Sequence, residues 1–302
     1  MFWLGAVLVL SLCVGLSTSH LLVIVLSMEV SMFTFIFMMF NFKLMVFSAP
    51  SVKYFLLQTV GSMVLLLYAL MTDLMQYGYL SMSMMIFGLS AKLGIFPLHF
   101  WVIPVSVELP FSMIGMMGMP MKVLPLACLL SEVQHNQLEV LSNIILYLGM
   151  GSIVVGMLLG IKNKSLRGIL GASSITHTGW MYFSLISMNI VMYFTVYSVT
   201  FICLLWGLSH MNNSVTAINL YALSGLPPFP LFFGKLLILF TLYTLETPLY
   251  YLILALLSAV LSLLYYLKFM FMFMLSRLSP TSVTLSLVIL FSINLTWLML
   301  FF

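Results

Sequence analysis

The sequence predicts an all-α fold, a polytopic transmembrane helical bundle of about eleven helices, and three observations support this prediction. Hydrophobic residues make up 64% of the 302 residues, and only 5% are charged. The mean hydropathy is +1.24. Apolar runs of about 20 residues, enough to span roughly 30 Å of hydrocarbon as a helix, recur along the chain. We therefore expect one integral membrane domain, residues 1–302, that begins in the membrane without a cleaved leader.

The apolar runs define eleven predicted spans: 2–19, 20–40, 53–74, 79–100, 111–131, 140–160, 168–187, 190–209, 224–243, 248–272 and 282–301. With this count, the basic loop residues fall on one side of the membrane: Lys43, Lys53, Lys162, Lys164, Arg167, Lys268 and Arg277. The opposite loops hold Asp73, Glu132, Glu139 and Glu246, and only Glu108 falls on the basic side. The positive-inside rule then places the N-terminus inside and the C-terminus outside.

Four charged residues interrupt the apolar spans: Glu29, Lys92, Lys122 and Lys235. Each costs roughly 2.5 to 3.5 kcal/mol at a helix centre, so together they oppose insertion by on the order of 10 kcal/mol. Such groups must face a protein interior or water. Burial disfavours a lysine's ammonium form and a nearby carboxylate favours it, so Glu29 and Lys92 have the chemistry of an adjustable proton-holding pair. The alternative is a fixed ion pair that only orients helices.

Two spans contain helix-breaking residues. The fourth carries Gly94 and Pro97 in SAKLGIFPLHFW, and the ninth carries Pro227, Pro228 and Pro230 in SGLPPFPLFFGKL. Lys92 precedes Pro97 by five residues and Lys235 follows Pro230 by five. Breaks at corresponding positions indicate an inverted-repeat transporter, here with halves of roughly 20–131 and 168–272. The alternative is that proline and glycine are simply common in membrane helices.

The second span is polar on two faces. Ser27, Ser31 and Thr34 share one stripe of a helix, and Glu29 lies nearly opposite. We therefore expect this helix to be enclosed by protein rather than to lie against lipid.

The remaining polar residues offer few further sites. His99, His177 and His210 are candidate proton relays, and hydrogen-bonded packing is the alternative for each. The three cysteines lie singly in different spans, and no histidine has a second ligand at metal spacing, so no metal is expected. The sequence has no nucleotide-binding, haem or iron–sulfur motif, so we expect no cofactor on this chain, and no nucleic-acid partner.

Six phrases in order carry a family resemblance: VKYFLLQTVGSM, AKLGIFPLHFWV, MKVLPL, NKSLRGILGASSITHTGWM, LSGLPPFPLFFGK and LLYYLKF. Between about Ser27 and Phe269 the chain resembles the subunit 2 family of NADH dehydrogenase, the antiporter-like membrane subunits of mitochondrial respiratory complex I. The resemblance implies the short animal form with eleven spans, which matches the predicted count.

The resemblance also implies roles. Glu29 matches the family's acidic modulator, Lys92 the lysine that it pairs with, and Lys122 the central lysine. Lys235 matches the lysine near the outer route, and His99 the histidine of the family's PFHFW phrase. The family implies proton translocation in the inner mitochondrial membrane, with the N-terminus in the matrix and the C-terminus in the intermembrane space. Its NADH, FMN, iron–sulfur clusters and ubiquinone belong to other parts of the complex.

The implied partners are other membrane-arm subunits, including neighbouring antiporter-like subunits, and membrane lipids such as cardiolipin, which the basic inner loops could contact. Two other functions use the same residues. A free-standing cation/proton antiporter would need the same lysines and broken helices. A structural subunit would keep the lysines without a proton path of its own.

Overall fold

The computed structural model describes residues 2–41, 48–74, 79–135, 139–227 and 229–275. The described residues form helices joined by short connections, without a strand among them. The chain divides into two compact units, Met1–Ile144 and Ile145–Phe302. Six helical stretches in the described ranges are long and apolar enough to cross a membrane, which agrees with the predicted all-α membrane fold. One of the six, Phe111–Gln134, consists of two successive helices.

The first unit contains α1 (Phe2–Ser17), α2 (Leu21–Asn41), α3 (Ser48–Leu74), α4 (Tyr79–Leu93), α5 (Val102–Glu108), α6 (Phe111–Gly118) and α7 (Pro120–His135). α2 lies against α1, α3 and α7, and α3 lies along α4. α3 and α4 approach each other closely because Gly61 of α3 and Gly88 of α4 face each other. A Cβ at Gly88 would lie 2.9 Å from the carbonyl oxygen of Gly61. Small residues allow this approach of two helix backbones in a membrane.

The second unit contains α8 (Glu139–Lys162), which begins just before the unit does, α9 (Leu166–Ile186), α10 (Ile190–Ser209), α11 (Asn213–Ser224), α12 (Pro230–Thr244) and α13 (Leu249–Leu275). α9 is its core element, since every residue from Gly168 to Leu185 is buried. Gly179 faces α8 so closely that a Cβ there would lie 2.7 Å from the carbonyl oxygen of Gly149.

The structure confirms the predicted interruptions of the fourth and ninth spans and corrects the bounds of three spans. The fourth was predicted over 79–100 with a break at Gly94 and Pro97, and the helix is interrupted there: α4 ends at Leu93 and the chain resumes as the short helix α5. The fifth is two helices, α6 and α7, that meet at Met119. The ninth was predicted from residue 224, but α12 begins at Pro230. The eleventh span, 282–301, lies outside the described residues.

Helix α11 was not predicted at all. Its sequence, NSVTAINLYALS, has too many polar residues to form a long apolar run. The tertiary structure buries these residues against α10 and α13, and the side-chain amide of Asn219 donates to the carbonyl of Val215 at 2.9 Å. With 12 and 15 residues, α11 and α12 are each too short to cross 30 Å of hydrocarbon. The separation between them agrees with the interrupted ninth span that the sequence predicts.

The second span is only partly enclosed, contrary to expectation. Ser27, Ser31 and Thr34 are each 5% exposed and therefore buried. A third face of α2, which is apolar, is left exposed by this chain: Leu22, Leu26, Val30, Phe33, Phe37 and Phe40. On the helical wheel the hydroxyl stripe lies away from this face, but Glu29 borders it, because Leu26 and Phe33 lie three residues before and four residues after Glu29. The Glu29 side chain is accordingly 18% exposed.

Candidate functional site

Glu29 and Lys92 form an ion pair inside the first unit. Lys92 lies in the last turn of α4, and its Nζ is 3.3 Å from Oε1 of Glu29 on α2. The side chains are 3% and 18% exposed. Their depths in the second and fourth spans predicted this proximity, because leaving either charge alone in hydrocarbon costs several kcal/mol.

The end of α4 explains why Lys92 lies where a charge can be held. Gly94 adopts a left-handed conformation with φ of +67°, which ends the helix. A Cβ there would lie 3.0 Å from the ring of Trp101, so the position also needs a residue without a side chain. The carbonyl of Lys92, which has lost its helical partner, accepts a hydrogen bond from Nε2 of Gln58 at 3.2 Å. α3 thus stabilises the break as well as packing along α4.

Lys235 lies on α12 in the second unit, and its side chain reaches the interruption between α11 and α12. Its Nζ donates to the carbonyl oxygen of Ser224, the last residue of α11, at 3.0 Å. The same Nζ is 5.6 Å from the ring centroid of Trp180. Both contacts favour a cation, because helix C-termini carry partial negative charge and aromatic faces attract cations. The carbonyl is free to accept because Gly225 turns the chain there with φ of +75°.

Lys122 lies on α7, three residues before Pro125, and is 5% exposed. α7 contacts α1, α2, α4 and α6, so the side chain starts from a helix enclosed by the first unit. The structure therefore places all three lysines in protein interior. It brings Lys92 together with Glu29.

His177 forms a buried polar cluster that the sequence revealed only in part. Its Nδ1 is 2.9 Å from the hydroxyl of Tyr193 on α10, and its Nε2 is 3.3 Å from the hydroxyl of Tyr266 on α13. The ring also lies 4.8 Å from that of Tyr197. The ring of Tyr193 packs against α12 at Gly234, which is next to Lys235. The approach is close, since a Cβ added at Gly234 would lie 3.2 Å from the Tyr193 ring.

The tyrosines were missed because aromatic residues in apolar spans look like packing residues. Tyrosines on successive turns of buried faces, such as Tyr193 and Tyr197, were the available signal.

The other two histidines have different surroundings. His99 follows the break after α4, is 7% exposed, and lies between the rings of Phe96 and Phe100. Its Nδ1 has no hydrogen-bond partner in the described part of the chain. His210 caps α10 at the surface, with Nδ1 3.0 Å from the carbonyl of Trp206. The three candidate relays therefore differ in burial: His99 and His177 are enclosed by protein, whereas His210 is exposed.

The expected helix-breaking residues lie in the two interruptions. Gly94 and Pro97 fall between α4 and α5, Pro227 falls between α11 and α12, and Pro230 is the first residue of α12. Pro228 lies outside the described residues. Within the described ranges no three His, Cys, Asp or Glu residues group at metal-binding distance.

Comparisons with known proteins agree with this architecture. The family described as NADH:quinone oxidoreductase/Mrp antiporter, TM, matches residues 18–216. NADH-ubiquinone oxidoreductase chain 2 of Albinaria caerulea is 37% identical over 281 residues, which cover 89% of this chain and 88% of that protein. The chain 2 protein of Squalus acanthias is 33% identical over 262 residues, covering 78% and 73%.

Solved structures share the fold. A chain of respiratory complex I from Thermus thermophilus with bound aureothin superposes with a TM-score of 0.79 at 22% identity, over 97% of this chain and 77% of that one. A chain of the Mrp complex from Dietzia sp. DQ12-45-1b gives 0.81 at 14% identity, over 93% and 61%. With the family match across residues 18–216 and relatives above 30% identity over most of both chains, this chain belongs to the NADH:quinone oxidoreductase/Mrp antiporter membrane family, in its NADH-ubiquinone oxidoreductase chain 2 branch.

Proposed function

We propose that this chain is a proton-translocating, antiporter-like membrane subunit of respiratory complex I. The observation that carries the proposal is the buried Lys92–Glu29 pair at the end of an interrupted helix, with a second buried lysine at the other interruption. Ionisable groups enclosed at membrane depth are costly, and proton transfer is the function that uses them. The relatives are named NADH-ubiquinone oxidoreductase chain 2, which identifies the enzyme complex in this proposal.

The Glu29–Lys92 pair holds and releases a proton according to the position of the carboxylate. With Glu29 3.3 Å away, its negative charge favours the ammonium form of Lys92. When the carboxylate turns away, burial favours the neutral amine and the proton leaves. Glu29 is the more exposed partner, so we assign the movement to its carboxylate.

Lys122 receives the proton at the centre of the subunit, and Lys235 passes it toward the outer side. At Lys235 the ammonium is favoured by the carbonyl of Ser224, so a small displacement from that carbonyl promotes release. The His177 cluster offers a second proton-carrying group beside α12, because imidazole can donate through one nitrogen while it accepts through the other.

The proposal assigns the redox chemistry to other subunits. NADH, FMN, the iron–sulfur clusters and ubiquinone bind elsewhere in the complex, and their electron transfer drives charge and hydration changes along the membrane arm. The partners of this chain are membrane-arm subunits, including neighbouring antiporter-like subunits, and lipids such as cardiolipin at the basic loops. Its location is the mitochondrial inner membrane, with the N-terminus in the matrix and the C-terminus in the intermembrane space.

A free-standing cation/proton antiporter is the second candidate, and the shared fold with the Mrp complex is the observation that favours it. Such a protein would transport cations when reconstituted alone. A structural subunit with a fixed ion pair is the third candidate. In that case, replacing either Lys92 or Glu29 with a neutral residue would leave proton pumping by the assembled complex unchanged.

The deciding experiment compares Lys92→Met with Lys53→Met in assembled complex reconstituted into vesicles. Lys53 is an exposed lysine on α3 and serves as the matched control. We expect both complexes to assemble and only Lys92→Met to pump fewer protons per NADH oxidised. Normal pumping by assembled Lys92→Met complex would favour the structural candidate. Cation-dependent proton transport by the isolated chain would favour the free-standing antiporter.

A further inference from the structure

A cavity of about 340 Å³ lies in the first unit, where α1 and α7 end and α2 begins. Its mouth is at the connection between α1 and α2, where Ser19 is exposed. Thr18, Ser19 and Ser131 line it together with Glu132. It has room for on the order of ten water molecules, and its polar lining supplies the hydrogen-bond partners that ordered water needs.

Glu132 gives the cavity its charge. It is the one charged residue among those that line the cavity, and it is only 8% exposed, although it lies in the last turn of α7. Ionised carboxylates are rarely buried to this extent unless they are paired or hydrogen-bonded. Glu132 has an interaction within the protein, and water in the cavity can hydrate its carboxylate in addition, so that it can exchange a proton with solvent at the mouth.

The floor of the cavity is formed by a close contact of three helices. Gly15 of α1 faces Ser27 and Leu124 so closely that a Cβ at Gly15 would overlap both side chains. Leu124 is two residues from Lys122 on α7, so the floor lies within about 3 Å of the level of Lys122 along the helix axis. Beyond the floor the buried hydroxyls of α2 continue inward, each donating to a carbonyl three residues back and keeping lone pairs free to accept.

We propose that this cavity is a water-filled vestibule that brings the aqueous phase down to the level of Lys122, with Glu132 as its proton-binding group and Leu124 as the closure at its floor. The inference rests on the proposed function, because the vestibule serves proton exchange of this subunit. Glu132 accepts a proton as the carboxylic acid and returns it to water at the mouth. The predicted orientation places the mouth on the intermembrane-space side.

The first experiment measures access by water in assembled complex. Cys128 also lines the cavity, so both variants are made in a Cys128→Ala background. Ser131→Cys lines the cavity, and Leu130→Cys, on another face of α7 and similarly half-buried, is the matched control. Each is treated with cationic and anionic thiosulfonate reagents from either side of sealed vesicles. We expect Ser131→Cys to react several-fold faster than Leu130→Cys, and only from the intermembrane-space side. Thr18→Cys, on the opposite wall, repeats the test if Ser131→Cys does not assemble.

Charge selectivity tests Glu132 in the same complex. A carboxylate in a narrow cleft concentrates cations about 10-fold or more, so the cationic reagent should react with Ser131→Cys correspondingly faster than the anionic one. Adding Glu132→Gln should remove most of that preference. Equal rates at Ser131→Cys and Leu130→Cys would overturn the vestibule, and an unchanged preference with Glu132→Gln would overturn the role of the carboxylate.

The second experiment measures pumping by Glu132→Gln against Glu108→Gln, which removes a carboxylate from another part of the same unit. We expect fewer protons per NADH only with Glu132→Gln. Normal pumping by that variant would overturn proton exchange at Glu132. Failure of the proposed function is distinguishable, because Lys92→Met would then pump normally whatever the reagents show at Ser131→Cys.

Discussion

The three buried lysines differ in what surrounds each ammonium group. Lys92 has a carboxylate at 3.3 Å, and Lys235 has a backbone carbonyl at 3.0 Å and an aromatic ring at 5.6 Å. Lys122 lies between these two along the chain, on a helix enclosed by four others. Opposite charges, carbonyl dipoles and aromatic faces hold a cation with different strength. In the proposed relay, small changes at each of these sites would move a proton stepwise.

Replacing Lys122 with Met tests the central step. The substitution keeps side-chain length and removes the charge, so the insertion cost of about 2.5 to 3.5 kcal/mol disappears and assembly should be retained or slightly improved. Proton delivery should be lost, and quinone reduction in tightly coupled membranes should slow because the two processes share one free-energy cycle. The measurement is protons pumped per NADH by assembled complex. An unchanged ratio would mean that Lys122 is not an essential relay.

Gly225 should control the position of the Lys235 ammonium. A Cβ at this residue would lie 2.8 Å from Nζ, and the left-handed backbone costs a non-glycine residue about 1 to 3 kcal/mol. Gly225→Ala should therefore lower both thermal stability and pumping. Asn adopts the left-handed backbone conformation more readily than Ala, but its side chain in Gly225→Asn would still displace the Lys235 ammonium. If pumping falls with Ala and is normal with Asn, backbone strain rather than displacement of Lys235 is the cause.

Interrupted helices position the charges, and tight helix pairs hold the interruptions in place. α4 ends at Leu93, and the carbonyl of Lys92 accepts a hydrogen bond from Gln58 of α3. α3 packs along α4 through Gly61 and Gly88. α11 ends at Ser224 and presents its carbonyl to α12. In both cases backbone groups released by the break are hydrogen-bonded inside the protein, as membrane structures require. The breaks are therefore part of the charge-holding sites.

Gly88→Ala should disturb the Glu29–Lys92 pair through the helix pair. The added Cβ would lie 2.6 Å from Leu65 and 2.9 Å from the carbonyl of Gly61, so α3 and α4 must move apart. We expect a loss of about 1 to 3 kcal/mol in stability and reduced pumping, because Lys92 lies one turn further along α4. Gly5→Ala, where nothing lies within 4 Å, is the control. Equal behaviour of the two variants would contradict the predicted packing.

The whole chain has a charge asymmetry that predicts its orientation. The connection between α8 and α9 exposes Lys162, Lys164 and Arg167, which the span count places on the same side as the N-terminus. The predicted repeat, with halves of roughly 20–131 and 168–272, concerns the same level of organisation and stays a prediction. The predicted orientation and the predicted repeat both depend on the number of membrane crossings rather than on any single contact.

Limited trypsin digestion should test the orientation. In sealed vesicles that expose the matrix side, we expect cleavage at the α8–α9 connection, because its basic residues are exposed there. Vesicles that expose the intermembrane-space side should give no cleavage at these residues. Mass spectrometry of the fragments identifies the site. Cleavage from the intermembrane-space side would reverse the assigned orientation, and with it the side on which the α1–α2 connection opens.

Local patterns were enough to predict several features of this protein. The length of apolar runs predicted most spans, and Gly94, Pro97 and Pro230 predicted where helices are interrupted, because a transmembrane helix and a helix break each depend on a short stretch of chain. The cost of charge in hydrocarbon identified Glu29 and the three lysines. Helix α11 was missed because its polar residues are acceptable only after burial by neighbouring helices.

Contacts between distant residues were decided only by the tertiary structure. The sequence predicted that Lys92 needs a carboxylate, but no local pattern could predict that Lys235 would contact the carbonyl of Ser224 and the ring of Trp180. The tyrosines around His177 and the cavity beside Glu132 likewise combine residues from separate helices. Burial penalties act on each residue and are therefore readable from the sequence. The partners that offset those penalties depend on which helices pack together, so they appear only in the fold.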